Sequence, residues 1–343
     1  MVRIKENIDI APYTSFGTHA SVERLVEWNS KQELLNFLAN EGRHLIGKGK
    51  KWTILGEGCN TLFTKDFDGT IIHSSAKGIE IIEDTLSHTT IRAAAGEVWD
   101  DVVEWTTERG LWGAENLTAI PSSVGASAVQ NIGAYGVEAK DIIKHVEVIY
   151  IDSLTEGVIE CSDCNFGYRE SIFKHKLFEK VIITAVIYQL SKTPSPRLDY
   201  GTLRPEVEKG GEISPAAIRR AVKAIRDSKL PDPKVTGNAG SFFKNPILPR
   251  EKVEALKVKY PAMPIYEVAG QSDKLKIATG WMIDHLGWKG KRVGRAGVHA
   301  NQALVLINCG DATGSEVIAL AEQICHQVKD EFGVDISPEV NIL

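Results

Sequence analysis

Residues 52–60 read W-T-I-L-G-E-G-C-N, an aromatic and β-branched run that leads into a glycine-rich turn. The first four residues predict a β-strand, because such side chains favour extended backbone. Glycines directly after a strand allow backbone N–H groups to approach a phosphate closely. The turn lacks the G-x-G-x-x-G spacing of dinucleotide-binding folds and the Gly-Lys-Ser/Thr ending of a P-loop. By itself it is compatible with a phosphate site and with an ordinary tight turn that needs no ligand.

A second glycine-rich stretch begins about 65 residues further along the chain. It consists of residues 120–127, I-P-S-S-V-G-A-S, and residues 131–136, N-I-G-A-Y-G. Its small side chains are expected to expose backbone amides, which suits a pyrophosphate and the polar edge of a flat ring. Two such stretches suggest one long ligand held at both ends. The alternative is a packed Ω-like loop, because the segment from 114 to 137 is too polar and glycine-rich to predict a core element.

Two further segments contain side chains that could act on a bound substrate. Residues 167–171, G-Y-R-E-S, place Arg169 among aromatic and small residues, where its guanidinium can bind a carboxylate with two hydrogen bonds. Residues 237–246 read G-N-A-G-S-F-F-K-N-P, and no His or Asp follows at the spacing of a hydrolase nucleophile. Ser241 on this turn can instead donate a proton to a bound intermediate. A surface arginine and a plain loop serine are the alternatives.

Composition and charge exclude several classes of protein. At roughly 150 residues per domain, 343 residues predict about two domains. The 40 Lys+Arg and 45 Asp+Glu residues give a net charge of −5, which argues against a strongly basic nucleic-acid or membrane-surface protein. No apolar run approaches the length of a membrane span, and the N-terminus lacks the apolar block of a signal peptide, so a cytoplasmic location is expected. A local anion site is compatible with the basic residues near the domain boundary, Arg226, Lys229, Lys234 and Lys244.

The five cysteines, an odd number, do not resemble a secreted disulfide framework. Cys161 and Cys164 form a lone C-x-x-C motif. A redox pair or half of a zinc site is one interpretation, but neither a second C-x-x-C nor a matching His pair follows. Reduced thiols near a strand are the other, and we expect no metal site.

Periodicity and capping signals predict a mixed α+β organisation. Residues 98–109 predict a helix that ends at Gly110, and Ser214-Pro215 begins another that runs to about Lys229. The sequence L-P-D-P at 230–233 breaks regular structure and predicts a domain boundary. The C-terminal part of about 115 residues is predicted to be a compact α+β unit. Its helices are predicted over 272–286 and over 313–332, the second with a Thr313–Glu316 capping box.

Eight motifs follow one another along the chain. They are G-E-G-C-N at 56–60, I-P-S-S-V-G at 120–125, G-A-Y-G at 133–136, G-Y-R-E-S at 167–171, G-S-F-F-K-N-P at 240–246, G-W-M-I-D at 280–284, H-A-N-Q-A-L-V-L-I-N at 299–308 and P-E-V at 338–340. Each motif alone is modest, whereas the ordered series is specific. The series resembles the family of bacterial UDP-N-acetylenolpyruvoylglucosamine reductases (MurB), and the resemblance runs from about residue 14 to residue 340.

The resemblance implies a flavoenzyme of α+β class. It implies a two-lobed FAD-binding module of the vanillyl-alcohol-oxidase (PCMH) class, with lobes over 1–72 and 73–228, and a substrate-binding α+β domain over 229–343. In the family, NADPH reduces FAD, which then reduces the enolpyruvyl ether of UDP-N-acetylglucosamine enolpyruvate to give UDP-N-acetylmuramate, a precursor of peptidoglycan. A small-molecule substrate, a monomeric state and no nucleic-acid or membrane partner are expected.

The resemblance also implies roles for individual residues. It implies that Ser241 donates the proton, while Arg169 and Glu339 lie beside the substrate carboxylate. Lys229, before the L-P-D-P sequence, would assist Ser241 or bind phosphate. The residues implied in contacting the uridine diphosphate are Tyr200, Asn245, Lys289 and Gln302. The residues implied in holding FAD are Gly56, Glu57, Gly58, Cys59, Asn60, Pro121, Ser122, Ser123, Gly125, Gly133, Ala134, Tyr135 and Gly136.

Two positions distinguish this chain within the family. Tyr200 fits the type in which a tyrosine-bearing insertion loop covers the substrate diphosphate. Cys59 stands where the family more often has Ser, and a thiol is a weaker hydrogen-bond donor. Two alternatives are an oxidase of the same superfamily, which would leave Ser241 and Glu339 without a role, and a non-catalytic nucleotide-sugar binding protein, which would need neither Ser241 nor the glycine loops.

Overall fold

The computed structural model describes residues 1–268 and 270–343, which divide into two compact units. The first unit comprises Met1–Ile8, Val22–Gly58 and Asp68–Ser228. The second comprises Asp9–Ser21, Cys59–Phe67 and Lys229–Leu343. The second unit therefore contains two short N-terminal segments in addition to the C-terminal part of the chain.

Two sheets and a set of short helices build the first unit. In spatial order, the four-stranded sheet consists of Arg3–Asp9, Ser21–Trp28, Phe67–Ser74 and Trp52–Leu55, the last two parallel. The five-stranded antiparallel sheet consists of Glu156–Glu160, Ile143–Tyr150, Val181–Ser191, His88–Ala94 and Ile79–Asp84. The helices are Lys31–Phe37, Arg43–Leu45, Trp99–Glu108, Val124–Gln130, Leu203–Glu208 and Pro215–Lys229. The strand pair Gly133–Ala134 and Val137–Glu138 forms a hairpin.

Three small sheets and three helices build the second unit. The four-stranded sheet has the order Asn238–Ser241, Val305–Asn308, Ala296–Val298 and Arg292–Val293, and the three-stranded sheet has the order Ile247–Pro249, Lys274–Ile277 and Ile265–Glu267. Thr61–Leu62 pairs in parallel with Asn341–Ile342. The helices are Arg250–Lys259, Thr279–His285 and Gly314–Phe332. No helix among the described residues is long and apolar enough to cross a membrane.

The helix Gly314–Phe332 confirms its predicted capping signals. The Thr313 side chain accepts a hydrogen bond from the Glu316 N–H, and the Glu316 carboxylate accepts one from the Thr313 N–H. The hydrogen bond from the Thr313 N–H, followed by the one from the Arg295 side chain, lowers the pKa of Glu316 to about 2, so this carboxylate stays charged at neutral pH. Gly333 ends the helix in the left-handed conformation at φ +63°.

The predicted helix over 272–286 is wrong in its first half. Residues 274–277 form a strand that pairs with a neighbour on each side, and the helix begins only at Thr279. Leu275 and Ile277 are buried while the two lysines between and before them are half-buried. This alternation of period two is the signature of a strand, and it was obscured by the helical pattern that follows.

The segment from 114 to 137 was wrongly predicted to lie outside the core. It contains the helix Val124–Gln130, in which Val124, Ser127 and Ala128 are fully buried. The Ser127 hydroxyl lies 2.7 Å from the Tyr188 hydroxyl, so its polarity is satisfied inside the core. Small residues pack here because they let a helix lie close to a sheet, and polarity alone therefore misled the prediction.

Replacing Gly314 by Ala is expected to destabilise the protein. An added Cβ would lie 1.9 Å from the Phe63 carbonyl oxygen, so backbone must shift. Overpacking of this kind costs about 1–3 kcal/mol, which thermal unfolding by calorimetry measures as a lower Tm. The control is Glu322→Ala on an exposed position of the same helix, which should leave the Tm nearly unchanged. An equal Tm for both variants and the parent would contradict the close approach.

Candidate active site

The two glycine-rich stretches meet in the first unit. A Cβ built on Gly56 would lie 2.6 Å from the Ser123 hydroxyl oxygen and 3.3 Å from the Ala126 Cβ. Only glycine at position 56 permits this approach without displacing Ser123. The two segments, distant in sequence, thus lie side by side, as one ligand held by both would require.

The first N–H groups of the helix that follows Ser123 donate hydrogen bonds to other groups of the protein. Val124 N–H donates to the Glu97 carbonyl and Gly125 N–H to the Ala95 carbonyl, both at 2.9 Å. Ala126 N–H donates to the Ser123 hydroxyl. The expectation that this turn exposes its amides is therefore wrong for these three groups. They hold the turn against the end of the strand that precedes Ala95, which fixes where Pro121, Ser122 and Ser123 lie.

Asn131 joins the second glycine stretch to the segment that carries Arg169. Its buried amide donates to the Gly167 carbonyl at 2.8 Å and to the Glu138 carboxylate at 3.1 Å. Its oxygen accepts from the Lys140 N–H at 3.0 Å. All polar groups of the Asn131 side chain are therefore used to hold three chain segments together.

Arg169 lies directly against this glycine stretch. Its guanidinium donates to the Gly133 carbonyl at 2.8 Å, and a Cβ on Gly133 would lie 2.9 Å from the other terminal nitrogen. Glycine at 133 leaves room for the guanidinium at this distance. The backbone of Arg169 is left-handed at φ +59°, an uncommon conformation for arginine. The structure brings together two motifs that the sequence separates by more than thirty residues.

The two tyrosines of the candidate site are in contact. The rings of Tyr135 and Tyr200 meet edge to face, with centroids 5.8 Å apart. Tyr200 is half-exposed, whereas burial raises the pKa of Tyr135. Both belong to the first unit, and their contact places the predicted substrate tyrosine beside a predicted cofactor residue.

Arg226 belongs to the same neighbourhood in the first unit. Its Nε donates to the Ala119 carbonyl at 3.1 Å, and burial lowers its pKa although the charges of Tyr135 and Asp100 oppose this. The sequence grouped it with Lys229, Lys234 and Lys244, but these three lysines belong to the second unit. A cation with little water around it favours a bound anion nearby.

Backbone pairing in the second unit brings Ser241 and Glu339 to neighbouring segments. The Glu339 N–H donates to the Phe242 carbonyl at 2.8 Å, and Phe243 pairs with Pro338. The side-chain amide of Asn60 donates to the Glu339 carbonyl at 3.2 Å, and Asn341 N–H donates to the Asn60 carbonyl. These hydrogen bonds join three chain segments, which contain Asn60, Ser241 and Glu339.

Two of the predicted diphosphate residues lie at the start of the helix Thr279–His285. The Asn245 side-chain oxygen accepts from the Thr279 N–H at 2.9 Å. Gln302 accepts from the Leu304 N–H, and a Cβ on Gly280 would lie 3.4 Å from its side-chain oxygen. Lys289 instead pairs with Asp284 at 2.6 Å, both partly exposed. Lys229 is exposed at the end of its helix.

Asn116 was missed by the sequence analysis. It is 1% exposed, and its amide donates to two carbonyls, those of Tyr135 and Arg197. The sequence around it, A-E-N-L, carries no motif. Its polarity in an otherwise buried stretch was the one available signal.

Cys161 and Cys164 lie at a short helical turn that is poorly suited to thiol chemistry. The Cys164 thiol is buried and points to the Ile159 carbonyl, while the Cys161 thiol points to the Lys140 carbonyl. Burial raises the pKa of both, that of Cys164 to about 12. No cluster of metal-ligating side chains is found in the described part of the chain.

Comparison with known proteins identifies both parts of the chain. Residues 25–155 match the FAD binding domain family, and residues 232–343 match the C-terminal domain of UDP-N-acetylenolpyruvoylglucosamine reductase. A UDP-N-acetylenolpyruvoylglucosamine reductase of Bacteroides fragilis is 46% identical, over 99% of this chain and the whole of that protein.

Solved structures show the same fold at lower identity. The crystal structure of the corresponding reductase from Thermus caldophilus superposes with a TM-score of 0.69 at 20% identity, covering 100% of this chain and 99% of that one. A 4-ethylphenol oxidase from Gulosibacter chungangensis superposes with a TM-score of 0.50 at 12% identity, covering 99% of this chain and 86% of that one. The fold is therefore α+β, with an FAD-binding module and a C-terminal α+β domain.

Native Cys164 is expected to resist alkylation by iodoacetamide at pH 8. Alkylation needs the thiolate, whereas burial favours the neutral thiol. With a pKa of about 12, Cys164 has almost no thiolate at pH 8. Peptide mass spectrometry measures the labelled fraction, with protein unfolded in guanidinium as the control in which all five cysteines react. Rapid labelling of native Cys164, or a disulfide between Cys161 and Cys164, would contradict this.

Proposed function

Because the chain belongs to the family of UDP-N-acetylenolpyruvoylglucosamine reductases, we propose that Ser241, Arg169 and Glu339 carry its chemistry and that the two glycine stretches hold its cofactor. The protein is an FAD-dependent oxidoreductase. It uses NADPH to reduce UDP-N-acetylglucosamine enolpyruvate to UDP-N-acetylmuramate in peptidoglycan synthesis. The observation that most supports the residue roles is the backbone pairing that joins Asn60, Ser241 and Glu339 in one arrangement.

The first unit fits FAD at its glycine stretches. Gly56 lies close to the small side chains of Ser123 and Ala126, so the two glycine stretches are side by side, which suits a pyrophosphate held by both. We propose that residues 56–60, 121–125 and 133–136 hold FAD, with backbone groups compensating for the weak donor at Cys59. When bound, FAD accepts the hydride of NADPH and supplies the one that the substrate receives.

The residues proposed for catalysis meet the needs of hydride addition to an enolpyruvyl group. Addition at the terminal carbon places negative charge on the adjacent carbon and the carboxylate, so the site must stabilise that charge. Arg169, held on the Gly133 carbonyl, supplies a positive charge. Ser241 gives its hydroxyl proton to the carbon. Glu339 is proposed to orient a hydrogen-bonding partner beside the substrate carboxylate.

The substrate diphosphate is proposed to bind Tyr200, Lys229, Asn245, Lys289 and Gln302. The hydroxyl, ammonium and amide groups of these residues are suitable donors for phosphate and uracil oxygens. We further propose lobes over 1–72 and 73–228, a substrate domain over 229–343, a monomeric state and a cytoplasmic location. Net negative charge supports the absence of a nucleic-acid partner.

Ser241→Ala is expected to retain flavin reduction by NADPH while losing turnover of the enolpyruvyl substrate. Loss of a positioned proton donor lowers the rate by about 10²–10⁴-fold. Stopped-flow absorbance at 450 nm measures the first half-reaction, and product formation measures the second. Ser315→Ala, at the exposed start of a helix, is the control. Unchanged turnover would remove Ser241 as proton donor, and loss of flavin would make its role structural.

Gly56→Val is expected to weaken FAD binding by at least about tenfold. The new side chain would enter the space that Ser123 and Ala126 border. The purified parent protein should be yellow and release FAD on heating, and the ratio of 450 nm to 280 nm absorbance measures its loss in the variant. Gly210→Ala, at an exposed turn of the same unit, is the control. A parent protein that is colourless and takes up no added FAD would contradict the FAD site itself.

A further inference from the structure

Asn116 links two backbone segments through its side chain. Its Nδ2 donates to the Tyr135 carbonyl at 2.9 Å and to the Arg197 carbonyl at 2.8 Å. Both amide hydrogens are therefore used, and both acceptors are backbone oxygens. Because a reversed amide would set its oxygen against two carbonyl oxygens, the hydrogen bonds determine the orientation of the side chain.

The segment held through Arg197 carries Tyr200. Tyr200 follows three residues later, and its ring contacts that of Tyr135, whose carbonyl is the other acceptor of Asn116. Asn116 thus binds the backbone of Tyr135 and the backbone of the segment that carries Tyr200, the two residues whose rings are in contact. Shifting either backbone segment would change where the half-exposed Tyr200 ring lies.

Two further contacts hold the same segment from the side that precedes Tyr200. The Arg197 guanidinium donates to Asp141 at 2.9 Å. Leu198 is 2% exposed and packs in a small core with residues of the helix Pro215–Lys229. Residues 199–202 are exposed, and the buried Leu203, whose N–H donates to the Tyr200 carbonyl, holds the segment from the other side. Tyr200 therefore lies on a short exposed turn that is fixed at both ends.

The Asn116 side chain is buried at a cost. Its oxygen is buried without a hydrogen-bond partner in the described structure. An unsatisfied buried acceptor destabilises a folded protein, and an apolar residue of the same size would avoid it. The amide is therefore suited to donating two hydrogen bonds, which no hydroxyl or aliphatic side chain can do from this position.

We propose that Asn116 is a positioning residue that determines where Tyr200 presents its hydroxyl to the diphosphate of the nucleotide sugar. The inference rests on the proposed role of Tyr200 in substrate binding and extends it to a buried residue whose side chain donates to two backbone carbonyls. Asn116 acts on substrate affinity rather than on the chemical step.

The test uses the FAD-loaded full-length protein with Asn116→Leu, which keeps the size and removes both donors. Titration calorimetry with UDP-N-acetylglucosamine enolpyruvate on the oxidised enzyme gives Kd without turnover. We expect Kd and KM to rise roughly tenfold, the effect of losing about one net hydrogen bond to a positioned group, with kcat, FAD content and flavin reduction by NADPH changed less than twofold. Asn36→Leu, at an exposed position of the helix Lys31–Phe37, is the matched control and should leave Kd unchanged.

A double-mutant cycle distinguishes positioning from a general structural effect. In a Tyr200→Ala background, Asn116→Leu should weaken binding little further, because its effect passes through Tyr200. Equal fold-changes in both backgrounds would overturn the proposal, as would FAD loss in Asn116→Leu, which would place its role at the cofactor. If the Tyr200→Ala single variant has the same Kd as the parent protein, Tyr200 does not bind the substrate. The proposed positioning role of Asn116 is then overturned as well.

A second variant covers the case in which Asn116→Leu does not fold. Arg197→Met removes the exposed contact to Asp141 and leaves the buried core in place. Loosening of the same segment should raise Kd by about two- to threefold and should again be absent in the Tyr200→Ala background. A Kd equal to that of the parent protein would overturn the proposal.

Discussion

The packing of the helix Val124–Gln130 against the five-stranded sheet is the constraint on which the rest of the first unit depends. Gly125 approaches so closely that a Cβ would lie 3.2 Å from the Ala95 Cβ, and its N–H donates to the Ala95 carbonyl. This approach holds Ser123 at the position where only glycine fits at residue 56. One close contact between small residues therefore brings both glycine stretches to the same place.

Buried asparagines transmit this arrangement to the functional side chains. Asn131 ties the helix end to the segment of Arg169, and Asn116 ties the Tyr135 backbone to the segment of Tyr200. An amide side chain offers donors and an acceptor in one plane, so a single residue can join backbone segments that share no sheet. Arg169 and Tyr200 each belong to an irregular segment that such a link joins to its neighbours.

In the second unit, backbone pairing joins the segments that carry the proposed site residues. The segments around Asn60, Ser241 and Glu339 come from three distant parts of the sequence and are joined mainly by main-chain hydrogen bonds. Main-chain pairing fixes the register of these segments through backbone groups, whatever side chains stand at positions 241 and 339. The strand Asn341–Ile342 contributes to this joining by pairing with Thr61–Leu62, directly after Asn60.

The sequence by itself determined the α+β class, the helix that begins after Thr313, the family and the motifs from which the site is proposed. These depend on local signals, such as a capping box, or on residue order. Tertiary structure decided that residues 274–277 form a strand, that the polar segment after 114 enters the core, and that Asn116 joins two loops. The physical reason is that pairing and burial depend on neighbours far away in the chain, and these can favour a conformation over the one that local propensity suggests.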